Sequence, residues 1–239
     1  MPALTDPALT VDLPDGAVHA VALVLHGGRE SSHEPTRSLQ LAVLRMRPFA
    51  SALAGTSGLA GTSGLAVVRL RYRARGWNGE LRSPVADTRW ALAELRSRFG
   101  AAPVALLGHS MGGRTALYVA DDPNVRAVAA LAPWIERSDP VAPVAGRRLL
   151  LVHGDRDRIT SPKRSAAFAR AAVGVAESVG YLTVHGERHA MLRRARLWHR
   201  VAAGFVRCAV LDDAPERAGD ELVANLVAKA LAGDTDLQV

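Results

Sequence analysis

A single cysteine, Cys208, stands in 239 residues, so no intramolecular disulfide can form and no cluster of thiolates can hold zinc or an iron–sulfur centre. That usage predicts a reducing, cytoplasmic compartment. No stretch approaches the roughly 18 consecutive apolar residues that a spanning helix needs. The segment from Met1 to Asp15 is acidic and proline-punctuated rather than basic and then apolar, so neither a signal peptide nor a membrane anchor is expected, and no membrane is expected as a partner. The basic residues are almost all arginine, scattered rather than packed into one run. Despite a net charge of +7 and a pI near 10.6, no nucleic-acid partner is therefore expected.

Hydrophobic residues make up 49% and charged residues 22%, the balance of an ordinary globular chain. Charge is unevenly shared. Residues 212–239 hold seven acidic and two basic residues, net −5, which leaves +12 for residues 1–211. The acidic tail is expected to lie against the basic body.

Six short apolar runs, mostly unalternating, have the character of strands buried on both faces: Ala20 to Leu25, Leu65 to Leu70, Val104 to Leu107, Val125 to Leu131, Leu149 to His153 and Tyr181 to His185. Between them Arg37 to Leu53, Pro84 to Phe99, Gly113 to Ala120, Pro162 to Ala172 and Arg193 to Leu211 place apolar residues at helical spacing. Ser83 and Ser161, each just before a proline, are expected N-caps. The alternation predicts an α/β domain over residues 15–211, a doubly wound, mostly parallel sheet with helices on both faces. It is preceded by an extension over residues 1–14. In the tail, Leu222, Val223, Leu226, Val227 and Leu231 form one apolar stripe. A final helix packed on the body is expected, with a homodimer interface as the alternative. Residues 54–59 are repeated directly as 60–65, a surface-loop expansion with no chemistry assigned.

Chemistry concentrates in Gly108-His-Ser110-Met-Gly112, set between an apolar strand and an apolar helix. A serine on so sharp a turn sits in strained backbone, and small residues two before and two after it avoid collision with neighbouring backbone. The helix that follows aims free NH groups at the same spot. A serine hydroxyl needs a base in reach, and the base needs a carboxylate to orient it. Asp155 and Asp157 follow one strand; His185 ends another and His189 follows it. In a parallel sheet these ends share one edge. His-x-Asp-x-Asp over 153–157 does not read as a metal site, because alternate residues diverge and no second cluster supplies ligands.

With His26-Gly-Gly28 after an early strand, the elbow, His153-Gly-Asp-Arg-Asp157 and His189 in that order, the chain resembles α/β-hydrolase fold serine hydrolases over residues 15–211. The resemblance implies Ser110 as nucleophile, His189 as general base and then acid, and Asp157 as the orienting carboxylate. It also implies the backbone NH groups of Gly28 and Met111 as an oxyanion hole, and no cofactor or metal. The usual spacing favours Asp157 over Asp155, and position after the turn favours His189 over His185. His26, His109 and His153 are expected to have structural hydrogen bonds, and His19, His33 and His199 to lie at the surface. Only twelve residues separate Trp134 from Arg147, where relatives carry a lid, so no cap domain is expected.

Trp77, Trp134, His109 and Arg29 are candidate pocket residues. Arg29, Arg114 and the arginines of 71–75 raise the expectation of a positive mouth, against the plainer reading of solvated surface. The expected activity is hydrolysis of small ester or thioester substrates through an acyl-enzyme. Alternatives are an inactive binding protein with this fold, a small peptidase or a perhydrolase.

Overall fold

Residues rich in Val, Leu and Ala at successive positions can only be buried on both faces of a sheet, and in the computed structural model, which describes residues 6–55 and 64–239, they are. The strands are β1 (Ala8–Asp12), β2 (Ala20–Leu25), β3 (Leu65–Arg71), β4 (Val104–His109), β5 (Val125–Leu131), β6 (Arg148–Gly154), β7 (Ser178–Val184) and β8 (Leu237–Gln238). They lie in one sheet in the order β1-β3-β2-β4-β5-β6-β7-β8. Only β1 runs antiparallel, against β3. The tandem repeat falls largely on residues 56–63, outside the described residues.

The helices are α1 (Leu41–Leu44), α2 (Arg47–Leu53), α3 (Ser83–Phe99), α4 (Met111–Tyr118), α5 (Pro162–Ala172), α6 (Ala195–Leu211) and α7 (Glu221–Leu231). Alternate residues of β2 sort into two cores. Val21, Leu23 and Leu25 pack with Leu92 and Leu95 of α3, Leu117 of α4 and Phe168 of α5. Ala20, Ala22 and Val24 pack with Phe49 of α2, Trp198 and Phe205 of α6 and Val227 of α7. This is the doubly wound architecture the sequence implies. Between Trp134 and Arg147 stands one short 3-10 turn, Ala142–Val144, so no cap domain covers that edge.

Three expectations need correction. The helix expected over 37–53 breaks between α1 and α2, because Pro48 in the first turn of α2 has no NH to continue the ladder. Ser83 is no cap: α3 begins one residue earlier than expected, at Ser83 itself, and its hydroxyl accepts from the Asn78 amide at 3.1 Å. Ser161 does cap α5, accepting from Arg164 N at 3.3 Å. The third concerns His199, expected at the surface: it is half-buried edge-on to Phe49, and burial pulls its pKa down to about 4.

Segments outside 15–211 join the same sheet, β1 at one edge and β8 at the other. Val223, Leu226 and Val227 of the tail stripe are buried within the chain and Leu222 is exposed. Tail acids meet body arginines, Asp213 on Arg207 at 2.5 Å and Asp220 on Arg200 at 3.1 Å. Among the described residues no helix is long and apolar enough to cross a membrane.

From β2 the chain crosses first to β3 on one side and then to β4 on the other. Such a reversal opens a crevice beyond the carboxyl ends of β2 and β4, the place where ligands bind in open α/β sheets.

Candidate active site

Gly27 and Gly28 follow β2 into that crevice, and Ser110 follows β4. Ser110 has φ 57° and ψ −117°, a left-handed backbone that an ordinary residue holds only when its surroundings force it. Its NH donates to the Leu131 carbonyl at 2.9 Å, and its carbonyl accepts from Arg114 N and Trp134 N at 3.1 Å each. The flanking glycines are steric requirements. A Cβ on Gly108 would overlap the Gly112 carbonyl, and one on Gly112 would overlap the Leu25 carbonyl.

Gly28 backs onto Met111: a Cβ there would overlap the Met111 side chain and the Arg75 carbonyl. Among the described residues neither the Gly28 NH nor the Met111 NH has a protein acceptor. The loop between them and the sheet is held by His26. Its Nε2 accepts from Tyr72 N at 3.2 Å, so the proton sits on Nδ1 and is donated to the Gly27 carbonyl at 2.6 Å. Burial lowers its pKa to about 4, which keeps the ring neutral.

The carboxylate alternatives separate cleanly. His189 Nδ1 lies 2.8 Å from Asp157 Oδ2. Asp155 instead takes His185 Nδ1 at 3.0 Å and Gly186 N at 2.7 Å, at the surface. Asp157 is buried and collects further donors: His153 Nε2 at 3.1 Å and the Thr160 hydroxyl at 2.8 Å on Oδ2, Ile159 N and Thr160 N at 2.8 and 3.0 Å on Oδ1. Burial opposes its charge, but the hydrogen bonds from His153 and His189 outweigh it and hold the carboxyl well below the usual carboxylate range. His153, expected to be structural, completes this shell by bonding Ser165 Oγ at 2.9 Å through Nδ1.

The loop carrying His189 is tied down by the histidine of the elbow motif and by two groups that no motif marks. Buried His109 donates from Nε2 to the His189 carbonyl at 3.0 Å, and its ring lies 4.8 Å from that of His189. Burial and the neighbouring His189 lower the His109 pKa to about 3. Arg45, next to the break between α1 and α2, reaches the Met191 carbonyl at 2.6 Å. Buried Glu187 accepts from Arg188 N and Arg194 N at 2.9 and 2.8 Å. Ser110 and His189 thus share one edge, but no hydrogen bond among the described residues joins the two side chains.

Of the expected positive mouth, most members are already paired. Arg114 is buried, bonded to Asp139 at 2.6 Å, with its guanidinium 4.2 Å from the Trp77 ring centre and 4.6 Å from that of Trp134. Arg73 pairs with Asp87 at 2.5 Å and Arg75 with Glu34; Arg71 donates to the Thr36 carbonyl at 3.0 Å. Arg29 remains exposed and without a side-chain partner among the described residues. Trp77 is buried. Half-buried Trp134 borders two open grooves of about 590 and 540 Å³, one floored by Trp77, Tyr118 and Arg114, the other by Ile159, Thr160 and Pro162.

Comparison with known families matches residues 23–172 to the alpha/beta hydrolase fold. Among solved structures the chain is similar to an alpha-beta serine hydrolase homologue from Coxiella burnetii at 17% identity, over 82% of this chain and 90% of that one, TM-score 0.60. It is similar to Est1E from Butyrivibrio proteoclasticus, solved with ferulic acid bound, at 14% identity over 86% and 96%, TM-score 0.65. A serine hydrolase without lid from Xanthomonas campestris is 22% identical over 86% and 88%, TM-score 0.58. No curated protein matches the chain.

Proposed function

The chain belongs to the α/β hydrolase fold family, and from that premise we propose that it is a serine hydrolase cleaving small ester or thioester bonds through an acyl-enzyme. The observation that carries the reading is Ser110 in strained backbone on the edge where His189 meets the buried Asp157 carboxylate at 2.8 Å. His189 takes the Ser110 proton at Nε2 as Oγ bonds the substrate carbonyl carbon. Asp157 holds Nδ1 protonated, so Nε2 is the bare, basic nitrogen. The unsatisfied NH groups of Gly28 and Met111 stabilise the oxyanion, worth about 3–4 kcal/mol for a donor of this kind. His189 then returns its proton to the leaving alcohol or thiol, and water, activated by the same imidazole, releases the acid. The Ser110–His189 hydrogen bond forms when substrate is seated, as catalytic bonds often tighten only then.

An inactive binding protein is the second reading, favoured by the lack of that hydrogen bond in the free protein. Intact mass after fluorophosphonate treatment distinguishes them. One adduct on the wild type and none on Ser110→Ala is the expected result; no adduct on either hands the case to the binding protein. Of the two arginines lining the open, aromatic-floored groove, Arg114 is neutralised by Asp139 and Arg82 is offset by Glu30 and Glu80 on the same lining, so neutral esters are expected to outrun anionic esters of equal length.

A further inference from the structure

Among the described residues, the five most exposed large apolar side chains run from Leu41 at 85% through Leu39, Ile159 and Leu81 to Leu192 at 66%, and the next, Val173, stands at 58%. All five follow carboxyl ends of parallel strands: Leu39 and Leu41 after β2, Leu81 after β3, Ile159 after β6, Leu192 after β7. Since those strands point the same way, the five crown the edge that carries Ser110. The Arg45 bond to the Met191 carbonyl ties the segment of Leu41 to that of Leu192.

Four of the five have an arginine one or two positions away, Leu41 being the exception: Arg37 beside Leu39, Arg82 beside Leu81, Arg158 beside Ile159, and Arg193 and Arg194 beside Leu192. All are exposed, and among the described residues none has a side-chain ion pair; Arg82 alone has a partner, the Tyr118 ring at 5.1 Å. Of the acids on this edge, Glu34, Glu136 and Asp155 are engaged by Arg75, Arg164 and His185. Glu30, Glu80 and Asp6, which enters β1 at this edge, are left. Free cations therefore outnumber free anions around a crown of exposed leucine and isoleucine.

We propose that this edge docks on an anionic lipid surface. Isolated apolar side chains on separate loops cannot pack on one another, but all can enter the headgroup and acyl boundary of one plane, while adjacent guanidinium groups take lipid phosphates. Nucleic acid would satisfy the arginines and leave the apolar side chains in water, and a folded acidic protein would need a separate apolar pocket for each of them. The chain then lies on a membrane rather than spanning it, which departs from the sequence expectation of no membrane partner. Docking does not depend on the hydrolysis proposed above, although it would bring lipid-borne esters to Ser110.

Full-length protein is sedimented with vesicles of phosphatidylcholine alone and of phosphatidylcholine mixed with phosphatidylglycerol, at low and high salt. Binding about tenfold stronger to the mixed vesicles, weakened by salt, is expected. Leu41→Asp with Leu192→Asp should lose about tenfold or more of it with an unchanged melting curve, because both side chains are exposed. Ser110→Ala should bind like the wild type, so loss of fluorophosphonate labelling and loss of docking are read separately. Equal sedimentation of the double variant, no sedimentation with either vesicle, or a shift of duplex DNA without vesicle binding would overturn the proposal.

Discussion

Asp157 shows how one side chain can depend on neighbours both inside and outside the motifs. Its Oδ2 receives His189, His153 and the Thr160 hydroxyl, and its Oδ1 two backbone NH groups. Asparagine at this position would turn an amide NH toward His189 Nδ1 and favour the wrong tautomer. Asp157→Asn is therefore expected to lower kcat for a chromogenic short-chain ester by about 10³–10⁴ with little change in KM. Thr160→Val removes one donor and keeps the shape, so about a tenfold loss is expected. A Thr160→Val variant as slow as Asp157→Asn would show that the hydroxyl does more than steady the carboxylate. That Ser110, Asp157 and His189 stand on one sheet edge could be read from chain order, since each follows a strand that is plain in the sequence, while their proposed roles come from the resemblance. Thr160, Glu187 and Arg45 could not, because what they do depends on which loops meet across the edge.

At the scale of elements, the parallel strands and most helices were readable because continuous apolar runs and helical spacing are local signals. What was missed has local causes too. Pro48 announced the break before α2, yet the apolar spacing runs through it unbroken. The edge strand β1 has no fully buried residue and covers only five positions, and β8 only two, too short for a pattern. The elbow between β4 and α4 allows the sharpest test, because backbone atoms rather than flexible side chains stand where two Cβ atoms would go. Gly108→Ala and Gly112→Ala should each cost about 1–3 kcal/mol or more in urea unfolding. Gly16, with nothing within 4 Å of an added Cβ, supplies the control: Gly16→Ala should be neutral or gain up to about 1 kcal/mol. If all three behave alike, steric closure of the elbow is not what the glycines provide.

For the molecule as a whole, charge lies on arginines while the buried histidines stay uncharged, and the two facts combine in the response to acid. Burial lowers His26 to about 4 and His109 to about 3, from an ordinary 6.5, and lowers half-buried His199 to about 4 with help from Arg45. The folded chain thus binds fewer protons than the unfolded chain between pH 6.5 and about 4. Stability is full above pH 6.5 and falls as pH drops through that window, by about 1.4 kcal/mol per pH unit for each fully buried ring. Below 3.8 the carboxyl of Asp157, itself lowered, continues the loss. Urea unfolding from pH 7.5 to 4.5 should show a flat region down to pH 6.5 and then a steep decline. His199→Phe should make that decline shallower by less than one proton, because solvent reaches part of the ring, and should leave the variant more stable relative to wild type at pH 5 than at pH 7.5. A wild-type curve that stays flat to pH 4.5 would mean that these rings accept protons without cost, and the neutral hydrogen bonds assigned to His26 and His109 could not then be the ones that hold the loops around Ser110.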